Sequence, residues 1–147
     1  SIRRRQRQMC IRDSIKGVKE WFLNNPPKKS ILLGDLNIAP SMHDVWDHEK
    51  LLKVVSHTPI EIDYLTNLKE SALWIDSVRN EKNESKLYSW WSYRAKDWKK
   101  ANKGRWLDHI WISTDLIKSF EKATIFEEAR GWNKPSDHVP ISTELCL

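Results

Sequence analysis

The chain has 147 residues, 39% hydrophobic and 31% charged, enough for one domain of ordinary size. No apolar run approaches the ~20 residues of a membrane helix, and nothing resembles a signal peptide, so membrane insertion is excluded and a soluble, cytoplasmic protein is expected. The net charge of +5 is uneven: residues 1–14 carry five arginines against Asp13, whereas residues 15–147 hold 20 basic and 19 acidic side chains and are nearly neutral.

Residues 6–14 resemble a peptide that arises when adaptor DNA is translated at the ends of environmental sequences. Residues 1–14 are therefore set apart as a leader, and the native domain is expected over 15–147. Cys10 and Cys146 stand near opposite ends and make neither a disulfide framework nor a metal-ligand spacing. Ile15, Val18 and Phe22 recur at helical spacing and predict a helix that Pro26-Pro27 ends. Residues 30–33 then read as a buried strand stopped by Gly34. Asp35 and Asn37 follow where that strand opens into a loop, on the same side if the chain stays extended. An oxygen-only pair there suits a hard cation, a water or a phosphate; an Asx turn accounts for the same two residues.

His43, Asp44, Asp47 and His48 lie close together, but their spacing fits no metal template and a solvated loop is expected. Thr58-Pro59-Ile60-Glu61 reads as a capping box with proline at the first helical position, and predicts a helix over 59–70 with Ile60, Tyr64, Leu68 and Ala72 on its apolar face. Residues 74–78 enter the core next, and 80–86 form a polar loop. Strands are predicted at 87–91, 106–113, from about 122, and at 139–145, with a short helix over 115–120. Helices alternate with strands without repeats or a linker, which gives one α/β unit.

Three stretches carry chemistry. Leu87 to Trp106 interleaves Trp90, Trp91, Tyr93, Trp98 and Trp106 with Arg94, Lys96, Lys99, Lys100, Lys103 and Arg105. Rings that stack on bases and cations that meet phosphates are what a nucleic-acid surface needs. Some of these tryptophans, two or three, are expected to fill the core instead. In Leu107-Asp108-His109-Ile110, a carboxylate stands in an apolar strand and calls for a partner. Asp137-His138 precedes the last strand. Asp108 is expected to orient His138 and favour its protonated form, with Asp137 near a metal or water; His138 as an ordinary loop histidine fits the spacing equally.

Four segments in order, Gly34-Asp35-Leu36-Asn37, Tyr88-Ser89-Trp90-Trp91-Ser92-Tyr93-Arg94, Leu107-Asp108-His109-Ile110 and Pro135-Ser136-Asp137-His138-Val139-Pro140, resemble the exodeoxyribonuclease III and apurinic-endonuclease branch of the endonuclease/exonuclease/phosphatase superfamily. The resemblance covers 15–147. It implies a DNA repair nuclease that uses Mg²⁺, or Mn²⁺ in its place, on double-stranded DNA with abasic sites or 3′ ends. By position, Asp35 would activate water or assist the leaving oxygen and Asn37 would place phosphate or water. Asp108 would orient His138 toward the scissile phosphate, and Asp137 with Asp35 would lie at the metal. Trp90 would line the abasic-sugar pocket and Arg94 would touch the DNA backbone.

The family's fold is a four-layered α/β sandwich, and the chain resembles its second half: a mostly antiparallel or mixed sheet with flanking helices. The Asn, Glu and Tyr that the family's first half contributes have no counterpart here, so the chain alone is expected to be inactive and to need that missing half. A superfamily phosphatase or phospholipase would share the Asp35 and His138 motifs without needing Trp90 and Trp91. A non-catalytic DNA-binding module would need only the basic aromatic stretch.

Overall fold

The computed structural model describes residues 2–83 and 85–147. Helix α1 (Ile2–Asn24) runs through the stretch set apart as a leader as well as the expected helix, and stops before Pro26 and Pro27. Its residue Ile15 is buried, and Phe22 meets Trp74 edge to face with ring centroids 5.2 Å apart. Strand β1 (Ile31–Asp35) does not stop at Gly34 as expected. It continues through that residue, whose φ of +150° suits glycine and strains any other residue.

The central sheet is antiparallel. Strand β5 (Asp108–Ile112) lies between β1 and β2 (Ile75–Asp76), which follows the buried Trp74 in the chain. Helix α3 (Pro59–Ser71) covers one face together with α1, closing a core of Ile15, Ile38, Leu65, Leu68, Trp74 and Trp111. Glu61 caps α3 as its spacing from Thr58 predicts: its Oε2 accepts from Thr58 Oγ1 at 2.7 Å and from the backbone N–H groups of Ser56 and Thr58. That duty buries Glu61 and rotates the apolar face. Leu65 and Leu68 point inward, whereas Ile60 is 49% exposed.

Helix α4 (Ser77–Glu81) is capped by Asp76, whose Oδ1 accepts from Arg79 N at 2.9 Å. Among the expected strands, 87–91 is regular only at β3 (Trp90–Trp91), which pairs with β4 (Gly104–Arg105). A second ribbon joins β6 (Phe120–Ile125) to β7 (Ile141–Leu145). The short helix expected over 115–120 is a 3-10 helix at Thr114–Ser119. Short helices α2 (His48–Leu51) and α5 (Trp98–Ala101) each begin at a capping aspartate, Asp47 and Asp97. The close approach of β4 to Tyr88 requires Gly104: a Cβ there would sit 2.4 Å from the Tyr88 ring.

The segment 42–55 is not the solvated loop that its charges suggest. Asp44 is 1% exposed and ion-paired with Arg79, which also donates to the carbonyls of Asn83 and Ser85. Burial lifts the Asp44 carboxyl above its ordinary range despite that partner. The fold is α/β, with antiparallel sheet and flanking helices, as the pattern of elements predicts. On the outer face of β1, Ile31 and Leu33 remain exposed, Leu33 to 69%.

Candidate active site

The register of β1 and β5 builds the centre of the site. Asp35 and Asp108 are Cα partners at the ends of their strands, so both carboxylates stand on one face of the sheet. Ser89, fully buried, fixes the approach to Asp108: its Oγ accepts from the N–H groups of Leu107 and Asp108 at 3.0 and 3.1 Å. Leu36 N–H donates to the Leu107 carbonyl and prolongs the pairing past Asp35.

His138 enters from another element. Residues 137–139 run beside β3, with an isolated bridge between His138 and Trp90 and a hydrogen bond from Val139 N–H to the Ser89 carbonyl. This brings His138 Nδ1 within 2.8 Å of Asp108 Oδ2 and leaves Nε2 3.8 Å from Asp35 Oδ2. The hydrogen bond to Asp108 raises the imidazole pKa above its ordinary 6.5. Desolvation opposes the rise, and the charges of Asp108, Asp35 and Asp137 add to it. Ligand atoms of Asp35, Asp108 and His138 lie within 4.8 Å of one another.

At Asn37 the Asx turn, one of the two alternatives, is what forms. The chain does not stay extended after Asp35: Asn37 has φ +57°, and its N–H donates to Asp35 Oδ1 at 2.9 Å. The pair is therefore an Asx turn that also steers the Asp35 carboxylate. Asp137, expected at a metal with Asp35, is not one of the group of three but lies near enough for its charge to act on His138. Its Oδ2 accepts the Trp90 indole N–H at 2.9 Å, which commits that oxygen to holding the ring.

Two buried histidines that motif reasoning passed over pin the loop after Asn37. His109 places one ring nitrogen 2.8 Å from the Ile38 carbonyl and turns the other toward Asp76 Oδ2 at 3.4 Å. Burial pushes the Asp76 carboxyl up, but the hydrogen bond and charge of His109 outweigh it and leave the pKa lowered. His57 sets Nδ1 2.7 Å from the Ala39 carbonyl and Nε2 2.8 Å from His48 Nδ1. Burial holds the His57 pKa below its ordinary value, so its ring stays neutral. The signal for His109 was in plain view: it alternates with Asp108 in an apolar strand and so faces the opposite side, into the core.

The basic aromatic stretch divides. Trp91 (2% exposed) and Trp106 are core residues and offer no face to a base; Trp91 donates its indole N–H to Asn102 and packs on Trp98 at 5.3 Å. Tyr93, Arg94, Lys96, Lys99, Lys100 and Lys103 are exposed around α5, with Lys103 4.9 Å above the Trp46 ring. Trp90 and Arg105 are only partly exposed. They line a cleft of about 390 Å³ with Asn37, Leu107, Asp137 and His138.

Residues 11–138 match the endonuclease/exonuclease/phosphatase family. The exodeoxyribonuclease III of Haemophilus influenzae is 30% identical over 133 residues, which are 86% of this chain and 48% of that protein. A solved 3′ phosphatase from Neisseria, bound to a product DNA hairpin, superposes with a TM-score of 0.83 at 27% identity, over 90% of this chain and 52% of the other. An AP endonuclease from Archaeoglobus fulgidus shares the fold at TM-score 0.86 and 22% identity, over 92% and 53%. The chain spans about half the length of the curated relatives it matches.

Proposed function

The chain belongs to the endonuclease/exonuclease/phosphatase family, and from that premise we propose that it serves a DNA repair nuclease, hydrolysing phosphodiesters at 3′ ends and beside abasic sites in double-stranded DNA. The observation that carries this reading is the Asp108–His138 hydrogen bond of 2.8 Å, which holds a raised-pKa imidazole beside Asp35 at the mouth of a cleft. No helix among the described residues is long and apolar enough to cross a membrane.

In this mechanism Asp108 fixes the imidazole by its Nδ1 proton and stabilises its charged form. His138 then presents Nε2–H to a non-bridging oxygen of the scissile phosphate, where negative charge grows in the transition state. Asp35, turned by the Asn37 N–H, accepts the proton of the attacking water. Water forms the new P–O bond, the bond to the 3′ oxygen breaks, and that oxygen takes its proton from solvent.

The donor set suits a hard divalent ion in kind. Asp35 and Asp108 offer carboxylate oxygens, and Mg²⁺ is commonly held by one or two carboxylates plus substrate phosphate oxygens. Asp35 would hold it, while His138, both of whose ring nitrogens face carboxylates, serves as a donor. Bound there, Mg²⁺ or Mn²⁺ would supply positive charge beside the phosphate.

The test joins this chain to the part of the Haemophilus influenzae relative outside the match and assays magnesium-dependent cutting of an abasic duplex. Cutting that His138→Asn abolishes supports the reading. Turnover of inositol phosphates or sphingomyelin with an intact abasic duplex would favour a phosphatase or phospholipase.

A further inference from the structure

One cation in the cleft has a task that the mechanism above does not use. Trp90 is paired in register with Arg105 on one side and bridged to His138 on the other. Register partners share a face, so His138, Trp90 and Arg105 form a row of side chains across three neighbouring strands. Strands lie about 4.8 Å apart, which sets the outer two backbones about 10 Å apart.

Arg105 is held in place and lacks a counter-ion. Its Nη1 donates to the Val55 carbonyl at 3.2 Å and to Ser56 Oγ at 2.9 Å, and its guanidinium lies 5.3 Å from the Trp90 ring centroid. Among the described residues no carboxylate comes within 4 Å of it, and its Nε is buried without a hydrogen-bond partner. Burial lowers its pKa, as desolvation of an unpaired cation requires. The carboxylate of the cleft, Asp137, is engaged by the Trp90 indole. A fixed, unpaired guanidinium beside a phosphate-facing histidine is a receptor for a second oxyanion.

We infer that the cleft has two phosphate positions: His138 faces the phosphate that is cut, and Arg105, across the Trp90 ring, takes the neighbouring phosphate of the same strand. The ligand is thus a nucleotide unit phosphorylated at both ends. Trp90 is a spacer between two anion sites, with one ring face already covered by the guanidinium. This rests on the nuclease reading proposed above.

The test titrates the 147-residue chain, in buffer containing magnesium, with thymidine 3′,5′-bisphosphate and with the 3′- and 5′-monophosphates. It follows the His138 ring and Trp90 indole signals by NMR. The bisphosphate should bind at least roughly tenfold tighter than either monophosphate, the size of one charge-assisted hydrogen bond. Arg105→Gln should remove that advantage, and Lys118→Gln, a distant surface change, should not. 5′-Phosphorylated dithymidylate separates the sources: tight binding by it as well means that an internal diester is accepted, and its failure beside a tight bisphosphate means that a terminal phosphate is required. Either result supports the second site. If Arg105→Gln loses its dispersed spectrum, Arg105→Lys takes its place and should lose part of the advantage. Equal affinities for bisphosphate and monophosphates, with His138 still shifting, would overturn the second site and leave the nuclease reading intact. An equal loss in Lys118→Gln would reduce it to bulk charge. No shift of His138 with any ligand would sink both.

Discussion

Asp35 and Asp108 face each other as register partners across β1 and β5, an arrangement that places two carboxylates opposite one another. Like charges in that position destabilise a sheet. His138 offsets the repulsion: one ring nitrogen lies 2.8 Å from Asp108 and the other 3.8 Å from Asp35. The electrostatic problem set by the strands and the histidine that answers it are one structure.

The pH dependence follows from that arrangement. The folded pKa of His138 lies above 6.5, raised first by its hydrogen bond to Asp108. A raised folded pKa contributes stability that is fully present below the unfolded pKa and is lost as pH rises through the folded one. The chain should therefore lose this increment on the alkaline side of 6.5, not the acid side. Ring-proton NMR should show His138 titrating above 6.5, and Asp108→Asn should bring it down. A His138 midpoint unaffected by Asp108→Asn would refute the coupling.

The exposed cations around α5 should bind duplex DNA weakly and without sequence preference. Each phosphate contact releases counterions and contributes roughly 0.9 to the slope of log affinity against log salt. Changing Lys99, Lys100 and Lys103 together to Ala should flatten the slope by up to about 2.7. An unchanged slope would make the cluster an ordinary solvated surface.

Removing the buried imidazole of His109 should be costly. Its ring nitrogens face two acceptors, the Ile38 carbonyl and Asp76 Oδ2, and His109→Phe removes its ring from both in the core. A stranded buried acceptor costs about 1 to 3 kcal/mol, more when charged, so urea unfolding should show a loss of about 2 to 4 kcal/mol. A loss below about 0.5 kcal/mol, the range of ordinary surface changes, would mean that the loop after Asn37 is held by other contacts.

Gly104→Ala should destabilise the ribbon that carries Arg105. The added methyl would meet the Tyr88 ring at 2.4 Å, and overpacking of this kind costs about 1 to 3 kcal/mol. Thermal unfolding measures it, and a neutral substitution would show that Tyr88 yields freely.

The 147-residue chain by itself should fail to cut an abasic duplex with magnesium. Without substrate phosphate oxygens fixed beside them, Asp35 and Asp108, the latter hydrogen-bonded to His138, fill too little of the near-octahedral shell that Mg²⁺ demands. Robust cutting by the purified chain would show that these ligands suffice.

The sequence made some of this legible for definite reasons. Thr58 and Glu61 announced the start of α3 because a capping box is a local interaction. A lone carboxylate in an apolar strand announced that Asp108 needed a partner, and the hydrogen bond to His138 is there. What could not be read depended on distant partners. Asp44 looked solvated until Arg79 arrived from 35 residues away. Two or three tryptophans were expected in the core, but which ones was decided by the 127–131 turn and β6, which supply Ala129 and Ala123 to pack in the same clusters as Trp91 and Trp106. The split between core and surface tryptophans is a property of packing, and spacing does not encode it.

The central claim, that Asp108 and His138 work as one unit on phosphate, is tested most directly by turnover on an abasic duplex in the completed nuclease. The comparison is Asp108→Asn, His138→Asn and the double variant, with folding verified for each. Groups that act together are strongly non-additive, so the double variant should be scarcely slower than His138→Asn alone. Losses that multiply would mean that the two residues act independently, and the hydrogen bond between them would have no part in the chemistry.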